Sequence, residues 1–297
     1  MIARVRRLAG VALIAGIGLS AAAGVARAVV ILESTWAAEG GGPGAEPDGF
    51  AAHTALAYQP QFRSLVAFSG DDGESWTDCS GTWLGNFDGA GYVLTAAHCF
   101  EPGDGADAFR YRTEGDTVRE GAEVWRHPRY NGNNEKRGGY DAALVRLDGP
   151  VTDAGPPPRL WAGDLAVGQR IVFLGFGNRG LASTGERPVY DEPNANKTAG
   201  ENVLDEVAGR DRADGDLGNW MSVTLRRPAE GAGRLDGLLG SGDSGGSAWM
   251  QRDGRWYLVG VNASGTGVTY GEQSFFLRLA GIRPWLSDLL PGLRFDP

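Results

Sequence analysis

GSGDSGG occupies residues 240–246 of a chain of 297 residues. Glycine allows a loop to turn tightly and to approach a bound molecule closely, and Ser244 lies within this glycine-rich loop. A serine hydroxyl is a weak nucleophile unless a base, usually histidine, lies within hydrogen-bond reach. The stretch therefore has two interpretations, a glycine-rich hairpin with an idle serine or a loop that holds Ser244 for attack.

The order of residues along the chain separates two kinds of nucleophilic serine. GDSGG also matches the G-x-S-x-G nucleophile elbow of α/β-hydrolases, in which the histidine follows the serine. The chain contains three histidines, His53, His98 and His127, and none of them follows Ser244. This excludes the α/β-hydrolase arrangement and leaves open those in which histidine comes first.

His98 is the best candidate for the base. It lies in YVLTAAHC (92–99), at the end of an apolar strand-like segment and beside Cys99, so a strand would hold it rigidly. His127, in WRHPRY, is interpreted as a turn residue, and His53 as a structural or exposed residue. For the acid, Asp141 precedes the strand-like AALVRL, where a partly desolvated carboxylate can still reach a histidine on another loop.

Composition and charge exclude some classes of function. The chain is 42% hydrophobic and 22% charged, which is typical of a globular protein. Its 48 glycines follow no collagen-like period and predict many tight turns between strands. The net charge is -9 and no basic stripe occurs beyond the N-terminus, so nucleic acid is not expected as a partner.

Short apolar segments rich in β-branched and aromatic residues predict strands rather than helices. No long amphipathic helix separates them, so an all-β barrel or sandwich is favoured over a parallel α/β sheet. A short helix is expected at about 281–290, and 177–236 is interpreted mainly as surface loops, with one possible strand at 221–225. The other predicted strands are 62–68, 82–85, 92–96, 142–147, 170–177 and 256–263.

The first 28 residues have the layout of a secretory signal peptide. Arginines at the start precede an apolar run from Leu8 to about Val25, and Ala26-Arg27-Ala28 forms a small-x-small cleavage site. An uncleaved membrane anchor is the alternative, although Arg27 interrupts the apolar run. We expect a secreted or periplasmic protein without stable membrane insertion after cleavage, in which residues 29–49 form an arm or linker.

Cys79 and Cys99 are the two cysteines of the chain. Export favours a disulfide between them, whereas two cysteines with a neighbouring His98 do not complete a zinc site. The acidic residues at 211–216 are interpreted as a solvated loop rather than a calcium site. We therefore predict no metal and no cofactor.

Together these segments resemble the trypsin/chymotrypsin-like serine proteases. Three of them follow that family's order of histidine, aspartate and serine, namely TAAHC (95–99), YDAALVRL (140–147) and GDSGG (242–246). Three more are similar to the family's cysteine-bearing strand, its substrate-channel strand and its last strand with the terminal helix, namely CSGTWLG (79–85), VGVNASG (259–265) and FFLRLAGIRPWLSDLL (275–290).

The resemblance covers roughly residues 50–290. It implies two packed six-stranded antiparallel β-barrels, the first at about 50–155 and the second at about 156–280, with the site in the cleft. It also implies a serine endopeptidase that acts on a protein or peptide substrate through an acyl-enzyme, and we expect a monomer. A catalytically silent binding protein of the same fold is the alternative.

The resemblance assigns a role to each candidate residue. Ser244 would attack a carbonyl, His98 would transfer the proton, and Asp141 would orient the imidazole ring. The backbone N–H groups of Gly242 and Ser244 would stabilise the negative oxygen.

The substrate pocket departs from that of trypsin-like members. Leu238 stands where they carry the aspartate that selects arginine or lysine. With Ala263, Ser264 and Gly265 as the other pocket residues, we expect a site that does not select cations.

The N-terminus also departs from the family. Its best-known members have an Ile-Val-Gly-Gly-like start whose new amine, freed by cleavage, pairs with the aspartate before the serine. Asp243 is present, but no such start precedes Cys79. Cleavage after Ala28 would expose the apolar residues VVI (29–31), and we expect this end to insert in the same way.

Overall fold

A computed structural model describes residues 29–132, 139–191, 197–208 and 218–297. The predicted signal peptide and the acidic residues at 211–216 lie outside the described residues. Among those that are described, no helix combines the length and apolar character needed to cross a membrane.

The N-terminal segment packs on the rest of the molecule and is not the arm or linker predicted for residues 29–49. It contains the strand β1 (Val30–Ile31) and the helix α1 (Glu33–Ala38), and the helix α2 (Ala51–Ala57) follows it. Residues 29–32, VVIL, are buried in one hydrophobic cluster with side chains of the C-terminal half of the chain. Such an apolar run gains stability by leaving water, which explains why it does not remain free.

The first barrel carries His98 and Asp141 and is closed by antiparallel pairing in the order β2-β3-β4-β7-β6-β5. Its interior holds buried apolar side chains such as Phe68, Val93 and Val145. The strand predicted at 62–68 begins only at Leu65, because a 3₁₀ turn occupies Pro60–Phe62. The strands are β2 (Leu65–Ser69), β3 (Ser80–Phe87), β4 (Ala90–Thr95), β5 (Arg110–Thr113), β6 (Val118–Arg126) and β7 (Ala143–Leu147).

The second half of the chain forms another barrel, followed by a helix and a short final strand. Its elements are β8 (Leu160–Trp161), β9 (Arg170–Gly175), β10 (Gly180–Leu181), β11 (Gly185–Glu186), β12 (Thr198–Val207), β13 (Trp220–Thr224), β14 (Gly237–Leu238), β15 (Ser247–Arg252), β16 (Arg255–Gly265), β17 (Gln273–Arg278), α3 (Leu279–Leu289) and β18 (Phe295–Asp296). The order β15-β9-β12-β13-β17-β16 closes because β15 also pairs with β16. The predicted fold class, two six-stranded antiparallel barrels with a short C-terminal helix, is confirmed.

The segment 177–236 is more regular than predicted, since the ten-residue strand β12 runs through it. Its buried positions include Gly200, Asn202 and Leu204, so the hydrophobic pattern of a strand is weak. The Asn202 side-chain amide is satisfied because it donates to the carbonyl oxygens of Thr224 at 3.2 Å and Gly237 at 3.1 Å. Asn202 is polar but occupies a buried position, where an apolar residue would have made the strand recognisable in the sequence. Its amide can be buried there because its hydrogen bonds are satisfied.

Strand β1 lies inside a small sheet beside the second barrel, in the order β11-β10-β1-β14. It runs parallel to β10 and antiparallel to β14, with Val30 opposite Leu238 and Ile31 opposite Gly237. This pairing places the N-terminal end of the described chain beside the segment that leads into loop 240–246.

Candidate active site

The structure brings His98, Asp141 and Ser244 together, although up to 146 residues separate them along the chain. His98 lies on the 3₁₀ turn Ala97–Cys99 that follows β4, and Asp141 immediately precedes the segment entering β7. Ser244 lies in the loop before β15 of the second barrel. The site is therefore built between the two barrels.

The three side chains form one hydrogen-bonded row. The His98 ring contacts Asp141 Oδ2 through Nδ1 at 2.6 Å and Ser244 Oγ through Nε2 at 2.8 Å. A carboxylate only accepts hydrogen bonds, so Nδ1 of the neutral ring carries the proton and donates it to Asp141. This tautomer leaves Nε2 free to accept the hydrogen bond from the Ser244 hydroxyl.

Asp141 is fixed by a second contact with the same residue. Its Oδ1 accepts a hydrogen bond from the His98 backbone N–H at 2.9 Å, and the residue is only 1% exposed. The carboxylate thus holds both the ring and the backbone of His98, which limits rotation of the imidazole.

The predicted disulfide between Cys79 and Cys99 is present and ties the start of β3 to the turn that carries His98. The neighbouring Ser80 donates its backbone N–H to the Ser244 carbonyl at 2.8 Å. The two barrels are therefore linked at the residues that flank the row.

Loop 240–246 is anchored through its carbonyl groups. The Ser80 hydroxyl donates to the Gly242 oxygen at 3.0 Å, and the Asn262 amide donates to the Asp243 oxygen at 3.0 Å. In contrast, the N–H groups of Gly242 and Ser244 have no hydrogen-bond partner among the described residues, and both residues line the cleft. The loop therefore presents two free donors beside Ser244 Oγ.

Two glycines of this loop are required by its geometry. Gly242 has φ +86° and Gly245 has φ +79°, in the left-handed region that favours glycine. A Cβ atom at Gly245 would lie 2.0 Å from Thr95 Oγ1 and 2.3 Å from the Ser80 carbonyl oxygen. The glycines therefore let the loop turn and pack closely against the first barrel.

Asp243 is fully buried beneath the same loop. Its side chain accepts hydrogen bonds from the backbone N–H groups of Gly240 at 3.0 Å and Gly177 at 3.4 Å. No cationic side chain among the described residues pairs with it. Burial therefore raises the pKa of Asp243 well above its ordinary value, despite these two hydrogen bonds.

The cleft beside Ser244 has a volume of about 360 Å³. Of the predicted pocket residues, Ala263, Ser264 and Gly265 line it, whereas Leu238 is fully buried in β14 and is not among its lining residues. The remaining lining residues are His98, Leu239, Gly240, Ser241, Gly242, Ser244, Thr266, Gly267 and Val268.

Sequence reasoning missed the part of the wall formed by residues 266–268. This loop follows β16 and consists of Thr, Gly and Val, which carry no signal for chemistry. Its position could be found only from the return of β17 beside β16, where Gly265 pairs with Ser274. Apart from His98, the lining side chains are uncharged.

The other two histidines lie away from the cleft. His53, in α2, is fully buried and donates from Nδ1 to the Ala199 carbonyl at 2.7 Å. His127 stacks on Tyr140 with 4.9 Å between ring centroids, and its Nδ1 accepts from the Arg129 N–H. Burial lowers the pKa of each histidine to about 4, so both are neutral at pH 7.

The fold and the site agree with a comparison against known families. A family model described as Trypsin matches residues 56–219, which is more than half of the chain. The chain belongs to the trypsin family. This confirms the resemblance found in the sequence, and the family is one of serine proteases. The matched part includes His98 and Asp141 and ends before Ser244.

Proposed function

We propose that this member of the trypsin family is a secreted serine endopeptidase in which Ser244 is the nucleophile, His98 the general base and Asp141 the residue that orients the base. The observation that supports this proposal is the row Ser244 Oγ, His98 and Asp141, with contacts of 2.8 Å and 2.6 Å at the two ring nitrogens. Nucleophile, base and orienting acid are thus each within hydrogen-bond reach of the next.

The reaction follows from the protonation states in this row. Ser244 Oγ attacks the peptide carbonyl carbon while His98 Nε2 takes the hydroxyl proton. The tetrahedral intermediate collapses when His98 returns that proton to the leaving amine, and an acyl-enzyme remains on Ser244. Water, deprotonated by His98, then releases the acyl group and restores the serine.

The N–H groups of Gly242 and Ser244 are proposed to hold the oxyanion of the tetrahedral intermediate. Both are without a partner among the described residues, whereas the carbonyl groups of the loop are already engaged. Donors that are fixed before the reaction need no reorganisation when the charge develops. Loss of one such donor typically lowers kcat by about 10²–10³-fold.

The cleft is proposed to accept uncharged, mainly apolar side chains next to the bond that is cleaved. Leu239 and Val268 supply apolar surface, and the glycines in the walls leave space for a large side chain. Two nearby carboxylates accept hydrogen bonds from residues of the cleft wall. Glu186 accepts one from the Ser241 N–H at 3.0 Å, and Glu272 accepts one from the Thr266 hydroxyl. No aspartate is among the described residues that line the cavity, where it could select a cation.

Removal of the leader after Ala28 is proposed to activate the enzyme. Val29 is fully buried and its side chain packs against Gly200, while Asp243 packs against Gly175. Gly175 pairs with Thr198, and Gly200 lies two residues further along β12, or about 7 Å. A new amine at Val29 would therefore lie near the buried Asp243 carboxylate, for which the described residues provide no cationic partner. The disulfide supports export to an oxidising compartment.

Hydrolysis of a matched peptide series tests the proposed activity. The chain that begins at Val29 is expected to cleave substrates with Phe or Leu before the scissile bond at least tenfold faster than substrates with Arg or Glu. The Ser244→Ala and His98→Ala variants serve as controls and should lose the activity. Failure of the folded chain to cleave any member of the series would favour the silent binding protein, whereas a preference for Arg would contradict the proposed pocket.

A further inference from the structure

The carboxylate of Glu33 joins the N-terminal segment to loop 266–272 beside the cleft and to the turn between β10 and β11. Glu33 is the first residue of α1 and follows β1 after a single intervening residue. Its Oε1 accepts a hydrogen bond from the backbone N–H of Ser183, and its Oε2 accepts one from the Tyr270 hydroxyl at 2.5 Å. One side chain thus contacts two segments that are remote in sequence.

One of these two segments forms part of the cleft wall, and the other contacts that segment. Tyr270 lies in loop 266–272, which contributes residues 266–268 to the cleft wall. Ser183 lies in the turn between β10 and β11. The segments also contact each other, because the Tyr270 N–H donates to the Ala182 carbonyl at 3.2 Å. Glu33, the turn that contains Ser183 and loop 266–272 therefore all contact one another, and loop 266–272 forms part of the cleft wall.

The same set of contacts includes the N-terminal strand. The Ala182 N–H donates to the Ile31 carbonyl at 2.9 Å, and Val30 pairs with Leu238 directly before the lining residue Leu239. A shift of β1 would therefore move Glu33 and both sides of the cleft together.

The charged form of Glu33 suits this position. Burial favours the neutral form, but the hydrogen bonds from Ser183 and Tyr270 outweigh it and lower the pKa of Glu33. Hydrogen bonds to an ionised carboxylate are stronger than those between neutral groups. The Arg227 guanidinium also lies over the Tyr270 ring, 4.4 Å from its centroid, and supports the same loop.

We propose that Glu33 is a positioning residue that holds loop 266–272 in the shape that binds substrate. The expected effect of Glu33 on substrate binding rests on the proposed protease function. The structural consequence, order in the loop, is independent of catalysis.

Amide hydrogen exchange tests the structural consequence. In Glu33→Gln, one of the two acceptor oxygens becomes an NH₂ group, and exchange at the Ser183 and Tyr270 amides should accelerate about tenfold. Tyr270→Phe should produce the same change at the Tyr270 amide. Glu39→Gln is the matched control, because Glu39 caps the same helix but pairs with Arg234 away from the cleft.

Steady-state kinetics test the functional consequence. Glu33→Gln and Tyr270→Phe should each raise KM for an apolar peptide substrate about tenfold while kcat stays within about twofold. Because the two residues share one hydrogen bond, the double variant should be no worse than the more impaired single variant. A residue with a merely structural role would lower Tm without this split between KM and kcat.

The outcomes separate this proposal from the proposed function. Unchanged exchange in Glu33→Gln, or additive effects on KM in the double variant, would overturn the role of Glu33. Faster exchange in a chain that never reacts with a fluorophosphonate would support the role of Glu33 and contradict the protease. If Glu33→Gln does not fold, Tyr270→Phe and its exchange rates decide the matter.

Discussion

At the scale of single residues, the Asp141 carboxylate makes two hydrogen bonds to the same residue, His98. Both of its carboxylate oxygens are used on His98, one on the ring at 2.6 Å and one on the backbone at 2.9 Å. These contacts favour the tautomer in which Nε2 can accept the Ser244 proton, and in the proposed reaction Asp141 would stabilise the imidazolium that forms during attack.

Replacing Asp141 with Asn tests this assignment. The amide can donate to Nδ1, which would favour the tautomer whose Nε2 carries a proton and cannot act as base. We expect kcat to fall about 10⁴-fold, as in other triads, with little change in KM. Stopped-time assays at saturating peptide would measure the loss, and a variant that retains more than a tenth of the activity would contradict the role of Asp141.

At the scale of secondary-structure elements, α2 carries a buried histidine on its inner face. The Nδ1 atom of His53 donates to the Ala199 carbonyl on β12, while Nε2 is buried and has no hydrogen-bond partner in the part of the chain that the structure describes. Protonation of Nε2 would place an unsolvated charge between the helix and the barrel. This is the physical reason that burial lowers the pKa of His53 to about 4.

The pH dependence of stability follows from this pKa with a definite sign. The pKa of His53 lies below that of histidine in the unfolded chain, so acid favours unfolding between pH 6.5 and about 4. The loss of unfolding free energy from His53 approaches about 3 kcal/mol at the lower end. Urea unfolding at pH 7 and pH 4.5 should show a smaller loss in His53→Asn, which keeps a donor near Nδ1. Equal losses in both proteins would refute this.

Sequence patterns located several strands with mainly apolar buried residues, such as β4 and β7, and missed others, such as β12. Strands β4 and β7 were predicted because their buried residues are apolar, and the row of His98, Asp141 and Ser244 was predicted from residue order. Strand β12 was missed because Asn202 occupies a core position and relies on partners from distant strands. The contact of Glu33 with Tyr270 spans 237 residues, and no local pattern encodes it.

At the scale of the whole molecule, the N-terminal segment would link the proposed removal of the leader to the cleft. In the chain that retains its leader, Asp243 has a raised pKa, so its burial disfavours the folded state as pH rises toward that pKa. A terminal amine at Val29 would provide the opposite charge and reverse this effect. The same segment continues into Glu33, which contacts Ser183 in the turn between β10 and β11 and Tyr270 in loop 266–272.

Variants at Asp243 test the link between the terminus and the site. In the chain that begins at Val29, Asp243→Asn should lower kcat/KM about 10²-fold or more, because a buried ion pair that loses one partner costs about 3–5 kcal/mol. In the chain with its leader, the same substitution should leave the unfolding free energy unchanged or raise it. Equal effects in the two chains would exclude a pairing that depends on cleavage, and adding one residue before Val29 should mimic the loss of activity.

The central claim, an assembled nucleophile at Ser244, is tested most directly by reaction with a fluorophosphonate followed by intact-mass measurement and peptide mapping. The folded, disulfide-bonded chain that begins at Val29 is expected to gain one adduct, located on Ser244, and the Ser244→Ala and His98→Ala variants are expected to gain none. An unlabelled chain under the same conditions, or an adduct that persists in His98→Ala at the same rate, would contradict the claim and leave a protease fold that binds without catalysis.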